Sequence, residues 1–180
     1  MATQYDSISD TLSDFIEQQN LFFIATADVD GRVNVSPKGA NTLRVLGPNR
    51  VVWLNLTGSG NETAAHLLNL NRITLMFCSF GGKPMILRLY GTARTLHPRD
   101  SGWSELYSLF DENIGARQIY DVSVDSVQTS CGYQVPLFQF EADRENLQRW
   151  NANKGEAEIK SYWQELNVTS IDGKPTGING

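Results

Sequence analysis

Short turns separate almost every pair of strand-like segments in this 180-residue chain. The clearest turns are residues 28–31, 47–49 and 81–84, which are rich in the Gly, Pro, Asp and Asn that reverse a chain. A parallel strand pair needs a crossover of roughly a dozen residues or more, and these connections are too short for one. The chain is therefore restricted to a mainly β, antiparallel barrel or sheet rather than a series of β-α-β units.

Hydrophobic patterning places the individual elements. Apolar or alternating segments predict seven strands, at residues 21–26, 32–36, 42–46, 50–56, 72–80, 85–96 and 119–127. Helical spacing predicts helices at residues 7–20, 62–70, 98–112 and 144–166, the last one broken near Gly155. Pro37 is expected to stop the second strand, and the turn-rich tail at residues 170–175 is expected to be loose.

Composition predicts a single soluble domain over residues 1–180. The hydrophobic fraction of 41% and the charged fraction of 19% are typical of an ordinary globular protein. A net charge of −5 without a run of Lys or Arg argues against a nucleic-acid partner, and no apolar run is long enough for a membrane partner. The chain has two cysteines, Cys78 and Cys131, and no signal-peptide pattern, so the cytoplasm is the expected location.

Charge is distributed unevenly along the chain. Residues 31–99 hold nine Lys or Arg and one acid, Glu62, whereas the rest holds six bases and nineteen acids. Inside this basic window the sequence GSGNET, residues 58–63, which we call the glycine loop, leads from a predicted strand into a predicted helix. Its free N–H groups and the helix N-terminus favour an anion, most commonly a phosphate. A plain turn without a ligand is the alternative interpretation.

Established motifs do not fit the glycine loop. A dinucleotide fingerprint needs a third glycine and an acid about twenty residues later, and no acid lies between Glu62 and Asp100. A P-loop needs Gly-Lys-Ser/Thr, which is absent here. A nucleophile elbow around Ser59 would need glycine at position 57, where this chain has Thr57. The loop therefore predicts an anion site of a different kind.

Three cations are expected beside the loop, namely Arg32, Lys38 and Arg88. Lys38 follows a predicted strand end, where its amine can enter a cleft. Arg88 is flanked by apolar residues inside a predicted strand, so its charge needs a partner. That partner is either Glu62, the only acid of the basic window, or a bound phosphate.

The remaining candidate residues have ordinary interpretations. His66 and His97 lack the spacing of metal ligands, so no metal site is predicted, and His66 is interpreted as a partly buried polar residue rather than a catalytic base. Cys131 has no neighbouring base to activate it and is interpreted as structural. Trp150 and Trp163 are interpreted as core or interface residues, although the Trp150 ring can also cover a flat ligand.

Three segments in order resemble a known family. They read FFIATADVDGRVNVSPKG, NRVVWLNLTGSGNETAAHLLNLNRITLMF and MILRLYGTAR. Over about residues 14–96 the chain resembles the pyridoxamine 5′-phosphate oxidase-like, FMN-binding split-barrel proteins. The later segments SVQTSCGYQVP, RWNANKG and SIDGKPTG resemble one subgroup of that family.

The resemblance implies a six-stranded antiparallel split β-barrel with peripheral helices. The barrel core is expected at about residues 20–130 and the C-terminal helices at about residues 137–167. A homodimer is implied, with FMN as the cofactor between the subunits. Together with the interpretation of Trp150, the expected cofactor-binding residues are Ser36, Lys38, Asn55, Thr57, Gly58, Ser59, Gly60, Asn61, Glu62, Thr63, Arg88 and Trp150.

The chain departs from true pyridoxamine 5′-phosphate oxidases in its substrate-binding positions. Those enzymes carry an Arg-Lys pair in the glycine loop, where this chain has Gly60, Asn61 and Glu62, and Ile86 replaces a strand glutamine. The C-terminal Arg and His that grip pyridoxamine have no match. The resemblance therefore implies an FMN-dependent oxidoreductase acting on another small substrate. The alternatives are a non-catalytic flavin carrier or sensor, a haem-binding split barrel, and a deazaflavin in place of FMN.

Overall fold

A computed structural model describes residues 2–180, and an antiparallel sheet of eight strands forms its centre. The strands are β1 (Thr3–Tyr5), β2 (Phe22–Thr26), β3 (Asn34–Lys38), β4 (Leu43–Gly47), β5 (Arg50–Leu56), β6 (Ile73–Cys78), β7 (Ile86–Leu96) and β8 (Ala116–Ser130). The helices are α1 (Asp10–Glu17), α2 (Glu62–Asn69), α3 (Trp103–Tyr107) and α4 (Asn146–Leu166). The strand order is β3-β2-β6-β7-β8-β5-β4, with β1 paired to β8, and the sheet is not closed.

The long strand β8 connects the two halves of the sheet. One side of β8 pairs with β7 from Ile119 to Ser130. Its other side pairs with β5 through residues 116–123 and with β1 through residues 127–129. Sequence patterning does not reveal β1, because its three residues are all exposed and carry no apolar alternation. This pairing brings the ends of β5 and β8 together, next to the glycine loop.

The predicted mainly β, antiparallel split-barrel class with added helices is confirmed, with eight strands instead of six. Pro37 does not stop a strand, since it lies inside β3 and pairs with Phe23. A proline is tolerated there because β3 is an edge strand, whose outer side needs no N–H donor.

The predicted helices differ from the observed ones near their ends. The helix expected at residues 98–112 is reduced to the five residues of α3, which follow Gly102 in the left-handed region (φ 89°). No helix occupies residues 137–145, and α4 is interrupted at Gly155 (φ 73°), near the predicted break. None of the four helices within residues 2–180 combines the length and the apolar character needed to cross a bilayer.

The main core is formed by side chains from β2, β5, β6, β7 and β8 together with α1 and α2. Ile24, Leu75 and Leu87 are completely inaccessible to solvent, and the Trp53 and Tyr120 rings stack with centroids 4.6 Å apart. Helix α1 closes one end by burying Leu12 and Ile16, and Ser9 caps it by accepting a bond from the Leu12 N–H. This packing holds the ends of the strands in place.

Candidate functional site

An open cavity of about 1000 Å³ lies where the ends of β3 and β5 meet the glycine loop. Its size is that of a pocket for a cofactor or a drug-sized ligand. Its further walls come from β8, from the start of α4 and from the segment that follows α4. Ten of the twelve expected cofactor-binding residues line it, namely Ser36, Lys38, Asn55, Thr57, Gly58, Ser59, Gly60, Asn61, Glu62 and Thr63.

Lys38 is the cation that β3 brings to the cavity. Its ammonium Nζ lies 5.1 Å from the centroid of the Trp53 ring, so an aromatic face supports the charge. Burial, and secondly the positive charge of Arg117, lowers the pKa of Lys38 to about 8. The ammonium form of Lys38 is therefore less stable in the cavity than it would be in water, and a bound anion would stabilise it.

Arg117, at the start of β8, is the second cation of the cavity wall and the more deeply buried one. Only 3% of the residue is exposed, and burial lowers its pKa to about 10, which leaves it charged at pH 7. Its Nη1 donates to Asn167 Oδ1 and to the Gly58 carbonyl, the latter at 3.4 Å, whereas its buried Nε has no partner. Within residues 2–180, neither Arg117 nor Lys38 forms an ion pair with a carboxylate.

The glycine loop adds backbone donors to this positive wall. Asn61 occupies the N-cap position of α2, yet its side chain does not cap the helix and its Nδ2 donates instead to the Asn167 carbonyl at 3.2 Å. The first turn of α2 therefore begins at the cavity without a side-chain cap. A helix N-terminus in this state attracts an anion.

The acids of the cavity do not neutralise these cations. Glu62 lines the cavity, but its carboxylate accepts bonds from the Ile171 N–H at 3.1 and 3.2 Å. Within residues 2–180, no ion pair joins Glu62 to Arg88, which donates to Ser130 instead, so Glu62 is not the partner of Arg88. The wall thus combines two cations that lack a carboxylate partner with an uncapped helix end, which is the composition of an anion site.

A part-buried hydrogen-bond chain fixes how Ser36 and Thr63 can act in the cavity. Asn34 Nδ2 donates to the hydroxyls of Thr26 and Thr63, both at 3.2 Å, and Ser36 Oγ donates to Asn34 Oδ1 at 2.8 Å. Thr26 lies 3.0 Å from Nδ1 of His66, which is only 1% exposed. Ser36 therefore presents acceptor lone pairs to a ligand, whereas the Thr63 hydroxyl proton is free to be donated.

Two of the expected cofactor-binding residues lie outside the cavity of the single chain. Arg88 is part-buried on β7, where its Nη1 donates to Ser130 Oγ at 3.3 Å. Trp150 contacts Tyr162 edge to face at 5.2 Å, and Lys154 Nζ lies 5.3 Å from its ring. Both side chains therefore have partners inside the chain, and neither contributes to the cavity wall there.

The basic window as a whole is not the wall of the site. Of its nine bases only Lys38 lines the cavity, within the part of the chain that the structure describes. Arg50 and Arg94 pair with Asp121, and Arg32 pairs with Asp172, all acids that lie outside the window. Contacts between distant segments thus pair three of the nine bases of the window with acids outside it.

The end of the chain, residues 167–178, forms what we call the C-terminal strap. Lys174 Nζ donates to Asp28 at 2.7 Å and also pairs with Asp30, and the Lys174 ammonium lowers the pKa of Asp28 to about 2. The Asp172 carboxylate accepts from the Arg32 N–H at 2.7 Å. The predicted loose tail is therefore wrong, since turn residues here make a fastened segment that also lines the cavity.

Imidazole and thiol groups do not converge on the cavity. His66 and His97 are both buried and neither lines it. Within residues 2–180, no group of three or more His, Cys, Asp and Glu side chains is placed to hold a metal ion. Cys78 and Cys131 are free thiols.

Comparisons with known proteins agree with the geometry. A sequence model of the family described as Pyridoxamine 5′-phosphate oxidase matches residues 8–131. The chain belongs to the pyridoxamine 5′-phosphate oxidase family. It is 35% identical over 192 residues to the "Pyridoxamine 5′-phosphate oxidase family protein ustO" of Aspergillus flavus. The matched region covers 95% of this chain and 76% of that protein.

Solved structures share the fold at low sequence identity. The structure of HupZ from Group A Streptococcus has a TM-score of 0.55 and 19% identity, over 67% of this chain and 91% of that one. The FAD binding protein from Mycobacterium smegmatis has a TM-score of 0.50 and 17% identity, over 70% and 97% of the two chains. These similarities show the split-barrel fold.

Sequence reasoning missed Arg117 and Asn167. Arg117 lies just before the predicted strand at residues 119–127, between Ala116 and Gln118, so it lacks the apolar neighbours on both sides that drew attention to Arg88. Asn167 offers no such signal either, because a single Asn after a helix is an ordinary helix end. Its role depends on contacts with segments more than 100 residues away.

Proposed function

We propose that this protein is an FMN-binding flavoprotein that acts as an oxidoreductase on a small substrate. The observation that carries the proposal is the pair of desolvated cations, Lys38 and Arg117, beside an uncapped helix N-terminus. Burying a charge without a partner is costly, so such an arrangement is stable mainly when it holds an anion. Membership of the pyridoxamine 5′-phosphate oxidase family supports a flavin phosphate as that anion.

Each wall of the cavity has a definite part in holding FMN. Lys38, Arg117, the glycine loop and the Thr63 hydroxyl bind the phosphate, and Ser36 accepts a hydrogen bond from a donor of the ligand. Asn55 adds a polar group to the cavity wall, and its Nδ2 donates at 3.1 Å to Oε1 of Gln118, which is completely buried and does not line the cavity. The bound flavin would supply two-electron transfer, and the protein would orient it and limit its exposure to water.

The proposal includes a homodimer with FMN between the subunits. Strand β3 is an edge strand that forms one wall of the cavity, and Val35 on it is 61% exposed. Leu137 and Phe138 are also largely exposed, at 78% and 65%. An edge strand and exposed apolar side chains favour association. Trp163 cannot serve this contact as expected, because it is buried and donates to Thr57 Oγ1 at 2.9 Å.

Light scattering on the FMN-loaded protein tests the dimer. The monomer mass is 20.1 kDa, and we expect about twice that value. A measured mass equal to that of the monomer would refute the dimer and leave the phosphate site of the single chain standing.

Pyridoxamine 5′-phosphate itself is not the proposed substrate. This substrate carries its own phosphate, so it needs cations beyond those that hold FMN. Besides Lys38 and Arg117, Arg144 is the remaining base among the residues lining the cavity of the described chain, and it stands beside Asp143. We expect the FMN-loaded protein to turn over pyridoxamine 5′-phosphate more slowly than about 1 s⁻¹, the low end of ordinary enzymes. Faster turnover in an oxidase assay would refute this part of the proposal.

The other interpretations are supported less well. A haem site built on imidazole would need a histidine in the cavity, and neither His66 nor His97 lines it. A carrier or sensor would hold the flavin with the same residues, so only turnover separates it from an oxidoreductase. Reduction of the bound flavin by a nicotinamide or by a candidate substrate would support catalysis.

The first experiment is mass spectrometry of the ligand released from native protein, followed by titration with FMN and riboflavin. We expect FMN, and we expect riboflavin to bind at least tenfold more weakly, since it lacks the phosphate. A charge-assisted contact contributes about 1.5–3 kcal/mol, so even one such contact accounts for this difference. Equal affinities for the two flavins would refute the phosphate site, and a deazaflavin in the released ligand would replace FMN as the cofactor.

A further inference from the structure

Asn167, which follows α4, contacts both parts of the anion site although it does not line the cavity. The residue is completely buried. Its side-chain oxygen Oδ1 accepts from Arg117 Nη1, and its Nδ2 donates to the carbonyls of Gly58 and Ser59 at 3.2 and 3.4 Å. Its own carbonyl accepts from Asn61 Nδ2. One neutral side chain thus connects the guanidinium to the glycine loop.

These bonds determine which groups of the loop remain free. In a trans peptide the N–H points opposite to the C=O, and the structure has no cis peptide within residues 2–180. Because the Gly58 and Ser59 carbonyls face Asn167, the following N–H groups, of Ser59 and Gly60, face away from Asn167. Two successive N–H groups on the same side of a loop can both donate to one anion. Asn167 also keeps two partial negative charges away from that side.

The absence of charge on the Asn167 side chain matters for anion binding as much as its hydrogen bonds do. An amide oxygen satisfies a guanidinium N–H without cancelling the positive charge, so the charge of Arg117 stays available to a ligand. A carboxylate at the same place would form an ion pair with Arg117 and would repel the Gly58 and Ser59 carbonyls. Asn is therefore suited to hold both anion-binding groups without competing with the anion.

We propose that Asn167 is a positioning residue that gives the site its preference for a phosphorylated flavin, by orienting Arg117 and the amides of the glycine loop. This inference rests on the proposed FMN site. It assigns to the C-terminal strap a part in ligand selection, although the strap's fastening contacts lie outside the cavity.

The test compares Asn167→Asp with Thr176→Val in the whole chain. Thr176 is equally buried in the strap, and its Oγ1 donates at 2.6 Å to the backbone carbonyl of Asn167 rather than to Arg117 or the loop. Quenching of flavin fluorescence gives the Kd of FMN and of riboflavin for each protein. The phosphate preference is the Kd of riboflavin divided by the Kd of FMN, a ratio that a general loosening of the fold does not change.

We expect Asn167→Asp to reduce the phosphate preference at least fivefold and Thr176→Val to leave it within twofold of the wild-type value. A folded Asn167→Asp variant with a smaller reduction would overturn the inference, as would an equal reduction in Thr176→Val. If Asn167→Asp does not fold, Asn167→Ser is measured against the same fivefold threshold. A wild-type protein without any phosphate preference would refute the proposed FMN site itself, which is a separate outcome.

Discussion

Arg50 and Arg94, two cations on the outside of the sheet, differ from the two cations of the cavity in having a carboxylate partner. Arg50 donates to both oxygens of Asp121, at 2.8 and 3.1 Å, and Arg94 reaches the same carboxylate at 3.4 Å. Arg50 and Arg94 remain about half exposed or more. Lys38 and Arg117 are more buried and have no carboxylate partner within residues 2–180. A surplus of bases in a sequence therefore does not locate an anion site, whereas cations without a carboxylate partner beside an uncapped helix end do mark this cavity.

The difference has opposite consequences for stability and for binding. An exposed ion pair contributes roughly 0–1 kcal/mol, because water already solvates both charges. A buried cation without a partner lowers the stability of the free protein, and the same cost is recovered when an anion binds. The cavity therefore keeps electrostatic energy available for a ligand, and the outer face does not.

The largest expected effect comes from exchanging one cation of each kind for Met. Arg117→Met should raise the Kd of FMN about ten- to a hundredfold, which corresponds to a charge-assisted contact of about 1.5–3 kcal/mol. Arg50→Met should leave it unchanged. The Kd of riboflavin should be the same in both variants, and circular dichroism checks that both are folded. Equal losses of FMN affinity would show that the two kinds of cation do not differ.

Sequence patterning can reveal those parts of the site whose residues lie close together in the chain. The residues of the glycine loop are contiguous, so turn chemistry and the helix start predicted them together, whereas Asn55 and Thr57 were expected from the family resemblance. The hairpins were predictable because their turns are local. Lys38 was found because it follows the end of a predicted strand closely.

Arg117 and Asn167 depend on long-range pairing instead. Arg117 reaches the loop because β5 and β8 pair with Asn55 opposite Gln118, a register that patterning does not give. Arg88 was assigned to the site because a charge among apolar residues needs a partner, but alternation along β7 does not say which element covers that face. The strap was expected to be loose because its partners are distant in sequence, as Asp28 is from Lys174 at a separation of 146 residues.

The unpaired state of Lys38 predicts a pH dependence that the paired cations lack. FMN binds the ammonium form, and burial lowers the pKa of Lys38 to about 8 from an ordinary 10.5. The affinity should therefore stay level up to about pH 7 and fall as the pH rises through 8, by about tenfold between pH 7 and pH 9. Fluorescence titrations at pH 7, 8 and 9 measure this decline, and Lys38→Arg should remove it.

The stability of the free protein should change in the opposite direction. The pKa of Lys38 is lower in the folded state, so between about pH 8 and pH 10.5 the unfolded chain binds more protons than the folded one. The contribution of Lys38 to the free energy of unfolding therefore increases as the pH rises through this range. Lys38→Met should abolish that contribution. A wild-type affinity that does not change between pH 7 and pH 9 would contradict a part for Lys38 in binding.

Arg88 allows a sharper test of which cations belong to the cavity. Its bond to Ser130 Oγ lies outside the cavity of the single chain, so Arg88→Ala should change the Kd of FMN less than twofold. The measurement is the same titration, with Lys38→Ala as the comparison that loses affinity. A tenfold loss in Arg88→Ala would mean that a second subunit brings this side chain to the cofactor.

The smallest expected effect is that of removing the shared carboxylate on the outer face. Asp121→Asn removes the carboxylate partner of Arg50 and Arg94. Both guanidinium groups are solvated, and the amide oxygen that the substitution leaves at position 121 can still accept a hydrogen bond. The free energy of unfolding in urea should fall by about 1 kcal/mol or less, and the difference from wild type should shrink at high salt because exposed pairs are screened. The Kd of FMN should not change. If Asp121→Asn instead strengthened FMN binding several-fold, the outer cations would have to act on the ligand through the field of the whole protein, and the separation between paired and unpaired cations would no longer hold.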